Sequence, residues 1–168
     1  MSEGLTVDDL MNEGRMGENE GADGLRGQFE GVLAEFGKIA GIPLALDEDG
    51  TATFTVDDEI IVNLQYLDES DAIVAFAPVG GFGGTDAPDA GEKALALLRM
   101  NEIGGPTEGF TLALDEDAEL VLAMDRRSAL EISSADSLAA WMEALVIAVR
   151  AVRDRFAEEF PINEEGRE

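Results

Sequence analysis

The chain has 168 residues with 37 acidic and 11 basic side chains, and it contains neither cysteine nor histidine. The missing residue types exclude thiol nucleophiles, disulfides, serine–histidine triads and zinc sites built on thiolates or imidazoles. A formal net charge of −26 repels phosphate backbones and anionic lipid, so the composition disfavours nucleic-acid binding and membrane-surface attachment. Hydrophobic residues still make up 45% of the chain, enough for one domain with a sizeable core.

The first 23 residues are acidic and rich in glycine, with one small apolar cluster around Leu5–Met11. So little apolar surface does not offset the entropy of ordering the chain, and we expect residues 1–23 to be a mobile tail, with a short helix around Leu5–Met11 as the alternative. The stretch lacks the basic start and apolar run of a secretory signal, and we expect no membrane-spanning segment elsewhere. Together with the absence of cysteine, these features indicate a cytoplasmic protein.

Hydrophobic periodicity predicts the folded elements that follow. In chain order they are a helix over Leu25–Ala40; strands over Thr51–Val56, Ile60–Leu67 and Ala72–Ala77; a Gly- and Pro-rich loop over Pro78–Pro88; a helix from Asp89 to about Asn101; strands over Phe110–Leu114 and Leu120–Met124; and a helix over about Ala135–Phe160. The third strand is apolar on both faces, so we expect both to be buried. The order α–β–β–β–α–β–β–α predicts an α+β fold with three helices and an antiparallel sheet. We expect one domain over residues 24–160 and a C-terminal tail over 161–168.

Several motifs resemble chemical sites but fail the required spacing. Leu44–Asp49 and Leu112–Asp117 both read Leu-Ala-Leu-Asp-Glu-Asp, and counted from Asp47 the glycine of a calcium-binding EF-hand loop falls at the wrong position. We interpret both copies as a strand end followed by a solvated acidic turn. The glycines of Gly80–Gly84 do not form a phosphate-binding loop, because Asp86 stands at the position of the last glycine.

No catalytic group therefore rises above the background of many carboxylates. The single tryptophan, Trp141, and the single tyrosine, Tyr66, fall in periodic segments, which predicts core positions rather than a sugar-binding surface. We expect no enzymatic activity, no metal site and no cofactor. A metal-dependent hydrolase that uses only Asp and Glu is an alternative.

The informative features are apolar helix surfaces. The middle helix carries apolar residues around nearly its whole circumference: Ala94, Leu95, Leu97, Leu98 and Met100. A short helix that is apolar on several sides has to be buried on more than one of them. One side can face the sheet of its own chain, and we expect another to contact a second subunit. A helix enclosed within a monomer is the alternative.

The element order, the small acidic chain and several segments resemble the class I type III secretion chaperones. The segments are Leu97-Leu-Arg-Met-Asn101, Gly109-Phe-Thr-Leu-Ala-Leu-Asp115, Glu119-Leu-Val-Leu-Ala-Met-Asp125 and Ala140-Trp-Met-Glu-Ala-Leu145. The resemblance covers about Leu25–Phe160. The acidic tail before Gly24 and the long glycine-rich connector depart from the family pattern.

The resemblance implies a cytoplasmic homodimer that binds the N-terminal segment of a secreted effector protein in an extended state and keeps it stable and competent for secretion. It implies a dimer interface on the second helix and the next strand, here Leu95, Leu98, Met100, Phe110 and Leu112. Candidate effector-binding residues are Leu25, Phe29, Leu33, Phe54 and Val62. An acidic dimeric adaptor or regulatory protein-binding module outside secretion is the alternative function.

Overall fold

The computed structural model describes the backbone of residues 7–161 and the side chains of residues 24–161. Its elements, in chain order, are α1 (Val7–Ala40), β1 (Thr51–Val56), β2 (Ile60–Leu67), β3 (Ala72–Gly81), α2 (Ala90–Met100), β4 (Thr111–Asp115), β5 (Leu120–Ser128) and α3 (Ala135–Glu159). The five strands form one antiparallel sheet with the spatial order β1-β2-β3-β5-β4. The predicted α+β fold and its element order are confirmed.

Three boundaries differ from the predicted ones by four residues or more. β3 continues beyond Ala77 to Gly81 because this extension still pairs with the first residues of β5. β5 continues beyond Met124 to Ser128 because its extension still pairs with the first residues of β3. α1 begins at Val7 rather than near Leu25, and no proline before Pro43 forbids helical backbone there. The expectation that residues 1–23 and 161–168 are tails stays a prediction, and residues 1–6 and 162–168 lie outside the described part of the chain.

Both long helices lie on the same face of the sheet. On α1, Phe29 packs on Tyr66 and Phe36 packs edge-on against Phe54, with ring centroids 5.8 and 5.7 Å apart. On α3, the indole Nε1 of Trp141 donates a hydrogen bond of 2.9 Å to Asp125 Oδ2. The strand registers place the sheet residues of these contacts, Phe54, Tyr66 and Asp125, on one face of the sheet. The core therefore lies between that face and the two helices.

The apolar stripe of α3 fills much of this core. Its buried members include Leu138, Met142, Leu145, Val149 and Val152, which recur at three- and four-residue spacing. Burial of each such side chain contributes roughly 1.5–3 kcal/mol. Trp141 and Tyr66 are also buried, which confirms their predicted core positions.

Two arginines of α3 form ion pairs with the β1–β2 turn, and one of them also donates hydrogen bonds to β3. Arg150 pairs with Asp57, and Arg153 pairs with Glu59 while its guanidinium also donates to the carbonyl oxygens of Pro78 and Val79. The pairing of β2 with β3 runs only from Asn63↔Phe76 to Leu67↔Ala72. Arg153 thus satisfies carbonyl groups of β3 beyond its paired stretch with β2.

Within residues 7–161, no helix is both long enough and apolar enough to cross a lipid bilayer.

Candidate binding surfaces

The sheet has two edge strands, and the edge at β4 is closed by a side chain. Asn101, which follows α2, accepts the Leu112 backbone N–H at its Oδ1 (2.7 Å) and donates from its Nδ2 to the Leu112 carbonyl oxygen (3.4 Å). This side-chain amide occupies both outward-facing backbone groups of Leu112, as a neighbouring strand would. Phe110, one outward-facing position earlier, donates its N–H to the Thr107 carbonyl oxygen. Because residues whose N–H and C=O groups point outward alternate along an antiparallel edge, Leu114 is the next outward-facing residue, near the end of β4.

Among residues 24–161, the edge at β1 is closed only at its first residue. Asp47 donates its backbone N–H to the Thr51 carbonyl oxygen and accepts the Thr51 N–H at its Oδ1, both at 2.9 Å. Because outward-facing residues alternate along an antiparallel edge, Thr53 and Thr55 also direct their N–H and C=O groups away from β2. The side chains of Thr53 and Thr55 are exposed. β1 therefore offers two residues of backbone to an added strand.

Acidic turns stand at both ends of β1 but differ in how far they are neutralised. In the turn Asp57–Glu59, the first and last carboxylates are paired with Arg150 and Arg153. In the turn Asp47–Asp49, Asp47 Oδ1 accepts the N–H groups of Asp49 and Thr51, and Glu48 and Asp49 are exposed. The negative charge is therefore less compensated at the first turn than at the second.

Arg26 is a cation close to the first turn, but other carboxylates hold it. Its guanidinium lies near Gly50 and pairs with Asp68 (2.8 Å) and with Glu30 (3.4 Å). The hydrogen bond to Asp68 is the main cause that raises the pKa of Arg26. The Nε and one Nη of Arg26 are thus already bound to carboxylates of α1 and of the residue after β2.

The structure corrects the interpretation of the first Leu-Ala-Leu-Asp-Glu-Asp copy. The second copy ends β4 and begins the β4–β5 turn, as predicted. The first copy lies before β1 in extended backbone outside any strand, where Leu44 and Leu46 pack against the core. Its last two residues belong to a turn over residues 48–50, in which Asp47 Oδ1 accepts the N–H groups of Asp49 and of Thr51, the first residue of β1.

Apolar side chains are exposed on α2 and next to it. Leu95 and Leu98 are 54% and 66% exposed, whereas Ala96, Leu97 and Met100 on the other side of the helix are buried. Ile103, after the helix, and Leu114, on β4, are exposed as well. We refer to Leu95 and Leu98, which lie three residues apart on one side of α2, as the α2 patch.

The five predicted dimer-interface residues fall into two groups. Leu95 and Leu98 belong to the α2 patch, whereas Met100, Phe110 and Leu112 are buried within the subunit. The assignment of all five to a dimer interface stays a prediction. Only the first two present surface in the single subunit.

The five predicted effector-binding residues are mostly internal. Leu25 is half-buried, and Phe29, Leu33, Phe54 and Val62 are each no more than 7% exposed. The structure brings these four together in the core, beneath α1 and β1, and not on a surface. Their contact with an effector stays a prediction, and the exposed groups at this end of the sheet belong to the edge of β1.

The face of the sheet opposite α1 and α3 carries a half-buried apolar band of Val74, Phe76, Leu122 and Met124. The expectation that both faces of β3 are buried is therefore wrong for the single subunit. Val74 and Phe76 are partly exposed to water in the single subunit. Beside the band, Thr53 donates a hydrogen bond of 2.9 Å to Asn63 Oδ1.

A cavity of about 520 Å³ lies between the end of β3, the start of α2 and the end of α3. Val79, Phe156 and Phe160 give it apolar walls, and Lys93 and Arg153 reach it with charged groups. The Lys93 ammonium pairs with Asp89 (3.1 Å) and donates to the Phe82 carbonyl oxygen (3.0 Å). Both cations are already bound by groups of this subunit. Within residues 24–161, no three acidic side chains converge on a common metal position.

The sequence profile of the Tir chaperone protein (CesT) family matches residues 31–153. No curated protein sequence matches the chain.

Several solved structures share the fold. A chain of the HopA1–SchA chaperone–effector complex is 21% identical, with 77% of this chain and 95% of that chain covered and a TM-score of 0.59. A chain of the ExsC–ExsE complex is 20% identical, with 76% and 92% covered and a TM-score of 0.60. A chain from the Yersinia pestis type III secretion chaperone SycH in complex with a stable fragment of YscM2 is 25% identical, with 74% and 97% covered and a TM-score of 0.53.

Proposed function

The chain belongs to the Tir chaperone protein (CesT) family, and on this premise we propose that it is a cytoplasmic type III secretion chaperone. It binds the N-terminal segment of a secreted effector protein and keeps that protein stable and competent for secretion. The family match over residues 31–153 is the observation that carries the proposal. Chaperone–effector and chaperone–fragment complexes among the structures of the same fold support it.

The surfaces of the subunit fit a protein that binds other proteins and performs no chemistry. A binder of extended segments needs apolar surface and an accessible strand edge, which the α2 patch and the β1 edge supply. High net charge keeps such a protein soluble despite its exposed apolar groups. Histidine and cysteine, the usual bases and nucleophiles at neutral pH, are absent.

We assign the α2 patch to the contact between two copies of the chain. Leu95 and Leu98 lie at positions i and i+3 of α2 and are more than half exposed, although the other side of this helix is buried. Paired helices from two subunits remove these leucines from water, and each leucine contributes about 1.5–3 kcal/mol when fully buried. The closed edge of β4 lies next to this contact, which leaves β1 for the effector.

Replacement of Leu98 by glutamate tests the dimer. Because Leu98 is exposed in the single subunit, we expect Leu98→Glu to remain folded and to convert a dimer to a monomer. Light scattering coupled to size exclusion measures the mass, and circular dichroism verifies the fold. Leu130→Glu is the matched control, because Leu130 is 69% exposed on the β5–α3 connection, away from α2. This control variant should stay dimeric. A wild-type chain that is monomeric at high micromolar concentration contradicts the assignment.

Deletion of the gene in the host bacterium tests the function itself. We expect the level and the export of one or more secreted proteins to fall and to recover when the wild-type gene is returned. The affected protein should co-purify with the chain, and mass spectrometry identifies it. Versions of that protein that lack the N-terminal segment should no longer co-purify. Unchanged levels and export of every secreted protein contradict the proposal. Binding of a folded, non-secreted partner instead favours the regulatory adaptor.

A further inference from the structure

We propose that the segment that follows α3 packs against α2 of its own chain, in a groove beside the α2 patch. Ile162 covers one side of Leu95, and the carboxylates of Glu164 and Glu165 pair with Arg99. This inference goes beyond the proposed function, because it concerns a contact within the chain and does not depend on an effector. It rests on the position and charge of the groove and on the place where α3 ends.

The groove lies between one side of α2 and the last residues of α3. It is a cavity of about 360 Å³ with walls formed by Glu92, Leu95, Ala96, Arg99, Glu159 and Phe160. Its four α2 residues recur at three- and four-residue spacing and therefore share one side of the helix. At about 100° per residue, Leu98 lies about 60° farther from this side than Leu95, so the groove leaves Leu98 open to a second copy.

α3 ends at this groove, which brings the residues that follow it to the same place. Phe160 caps the helix with non-helical backbone (φ −128°, ψ 70°), so the chain leaves the helix axis there. Its ring packs on Phe156, with centroids 5.0 Å apart, and forms part of the groove wall. Each further residue extends the chain by up to about 3.5 Å. Ile162, two residues later, therefore reaches Leu95 without a long connection.

Phe160 also lines the cavity of about 520 Å³, but the cations of that cavity are already matched. Lys93 pairs with Asp89, and Arg153 pairs with Glu59. An acidic segment gains little from cations that already hold carboxylates. The charges therefore favour the smaller groove.

Arg99 gives the groove an unmatched positive charge. It is exposed, and among residues 24–161 it forms no ion pair, although acidic residues outnumber basic ones by 37 to 11 in the chain. Of the carboxylates that line the groove, Glu159 pairs with Arg155, and Glu92 lies two helical turns from Arg99, roughly 10 Å along the axis. The two glutamates after α3 are the next acidic residues in the sequence. The segment thus combines an apolar residue for the exposed leucine with carboxylates for the arginine.

Disulfide trapping tests the contact, because the chain itself has no cysteine. Under mild oxidation of the 168-residue chain, we expect Leu95→Cys/Ile162→Cys to form a disulfide within one chain, at a rate independent of protein concentration. Leu130→Cys/Ile162→Cys is the matched control, because Leu130 is also more than half exposed but lies on the β5–α3 connection. The control should cross-link at least about tenfold more slowly. Equal rates, or a disulfide that forms only between two chains on non-reducing gels and by intact mass, overturn the inference.

Charge variants of the same cysteine pair test the role of Arg99. Arg99→Gln and Glu164→Gln/Glu165→Gln should each slow the cross-link by about two- to fivefold. Their combination should slow it no further than either alone, because both remove the same ion pair. Lys38→Gln is the matched control, because Lys38 is an exposed cation on α1 that also forms no ion pair among residues 24–161, and it should leave the rate unchanged. Equal effects of Arg99→Gln and Lys38→Gln overturn the inference, while the gene-deletion experiment judges the proposed function separately.

Discussion

The two edges of the sheet show opposite solutions to one physical problem. An edge strand exposes unpaired N–H and C=O groups that invite pairing with another chain. At β4, a folded-back asparagine satisfies the backbone of Leu112, and the neighbouring α2 presents exposed leucines. At β1, Asp47 satisfies only Thr51, and no other side chain of residues 24–161 closes the next two outward-facing positions. One edge therefore presents apolar side chains beside a closed backbone, and the other presents backbone groups.

The largest effect should come from the core under the two edges. Phe54 packs against Phe36 beneath β1, and Leu112 is buried beneath β4. We expect Phe54→Ala to lower the free energy of unfolding by about 3–5 kcal/mol and Leu112→Ala by about 2–5 kcal/mol, as measured by urea denaturation. If Phe54→Ala leaves stability unchanged but weakens effector binding, Phe54 lines a binding surface and the core interpretation fails.

An intermediate loss of stability should distinguish the side chain that closes the β4 edge, Asn101, from the one that closes the start of the β1 edge, Asp47. Asn101→Ala leaves the partly buried N–H and C=O of Leu112 without their partner, so we expect a loss of about 1–3 kcal/mol. Asp47→Ala breaks hydrogen bonds that are exposed to water, and we expect about 0.5–1.5 kcal/mol. Asn101→Asp serves as a control, since it retains the acceptor for the Leu112 N–H. Equal losses at the two sites contradict the difference drawn between the edges.

The smallest effect concerns Tyr66, which joins β2 to the start of β1 by donating its backbone N–H to Gly50 O (2.8 Å). Its phenol donates to Asp71 Oδ1 (2.7 Å), and burial, followed by this hydrogen bond, raises the pKa of Tyr66 well above its ordinary 10.0. Above about pH 10 the unfolded chain loses the phenol proton while the folded chain keeps it, so stability falls as pH rises. Below pH 10 this residue contributes no pH dependence, because both states are protonated.

Thermal unfolding between neutral pH and pH 11 measures this decline. We expect Tyr66→Phe to have a flatter profile than the wild type over the alkaline part of the range. Because Tyr66 is the only tyrosine, the near-ultraviolet absorbance of phenolate reports its ionisation directly. Ionisation of the folded chain near pH 10 shows that the hydroxyl is not protected as described.

The family relationship and most of the fold were accessible from the sequence, because local patterns carry them. Alternating apolar residues predict β1 and β2, helical spacing predicts α3, and the element order predicts an α+β fold with an antiparallel sheet. The failure of the calcium and phosphate motifs also follows from spacing alone. The periodic segments that carry Trp141 and Tyr66 predict core positions, and both side chains are buried.

The tertiary structure alone decided which apolar residues are surface. The sequence pattern places four side chains alike at apolar positions of periodic elements: Phe29, Phe54, Leu95 and Leu98. In the structure the two phenylalanines are buried and the two leucines are exposed. A one-dimensional pattern gives the apolar side of an element but not its neighbour in space, which depends on long-range packing. The same holds for the edges, since Asn101 and Leu112 are eleven residues apart and only the turn between them brings the amide to the strand. The sequence determined the elements and their chemistry, and the packing determined which surfaces they leave for partners.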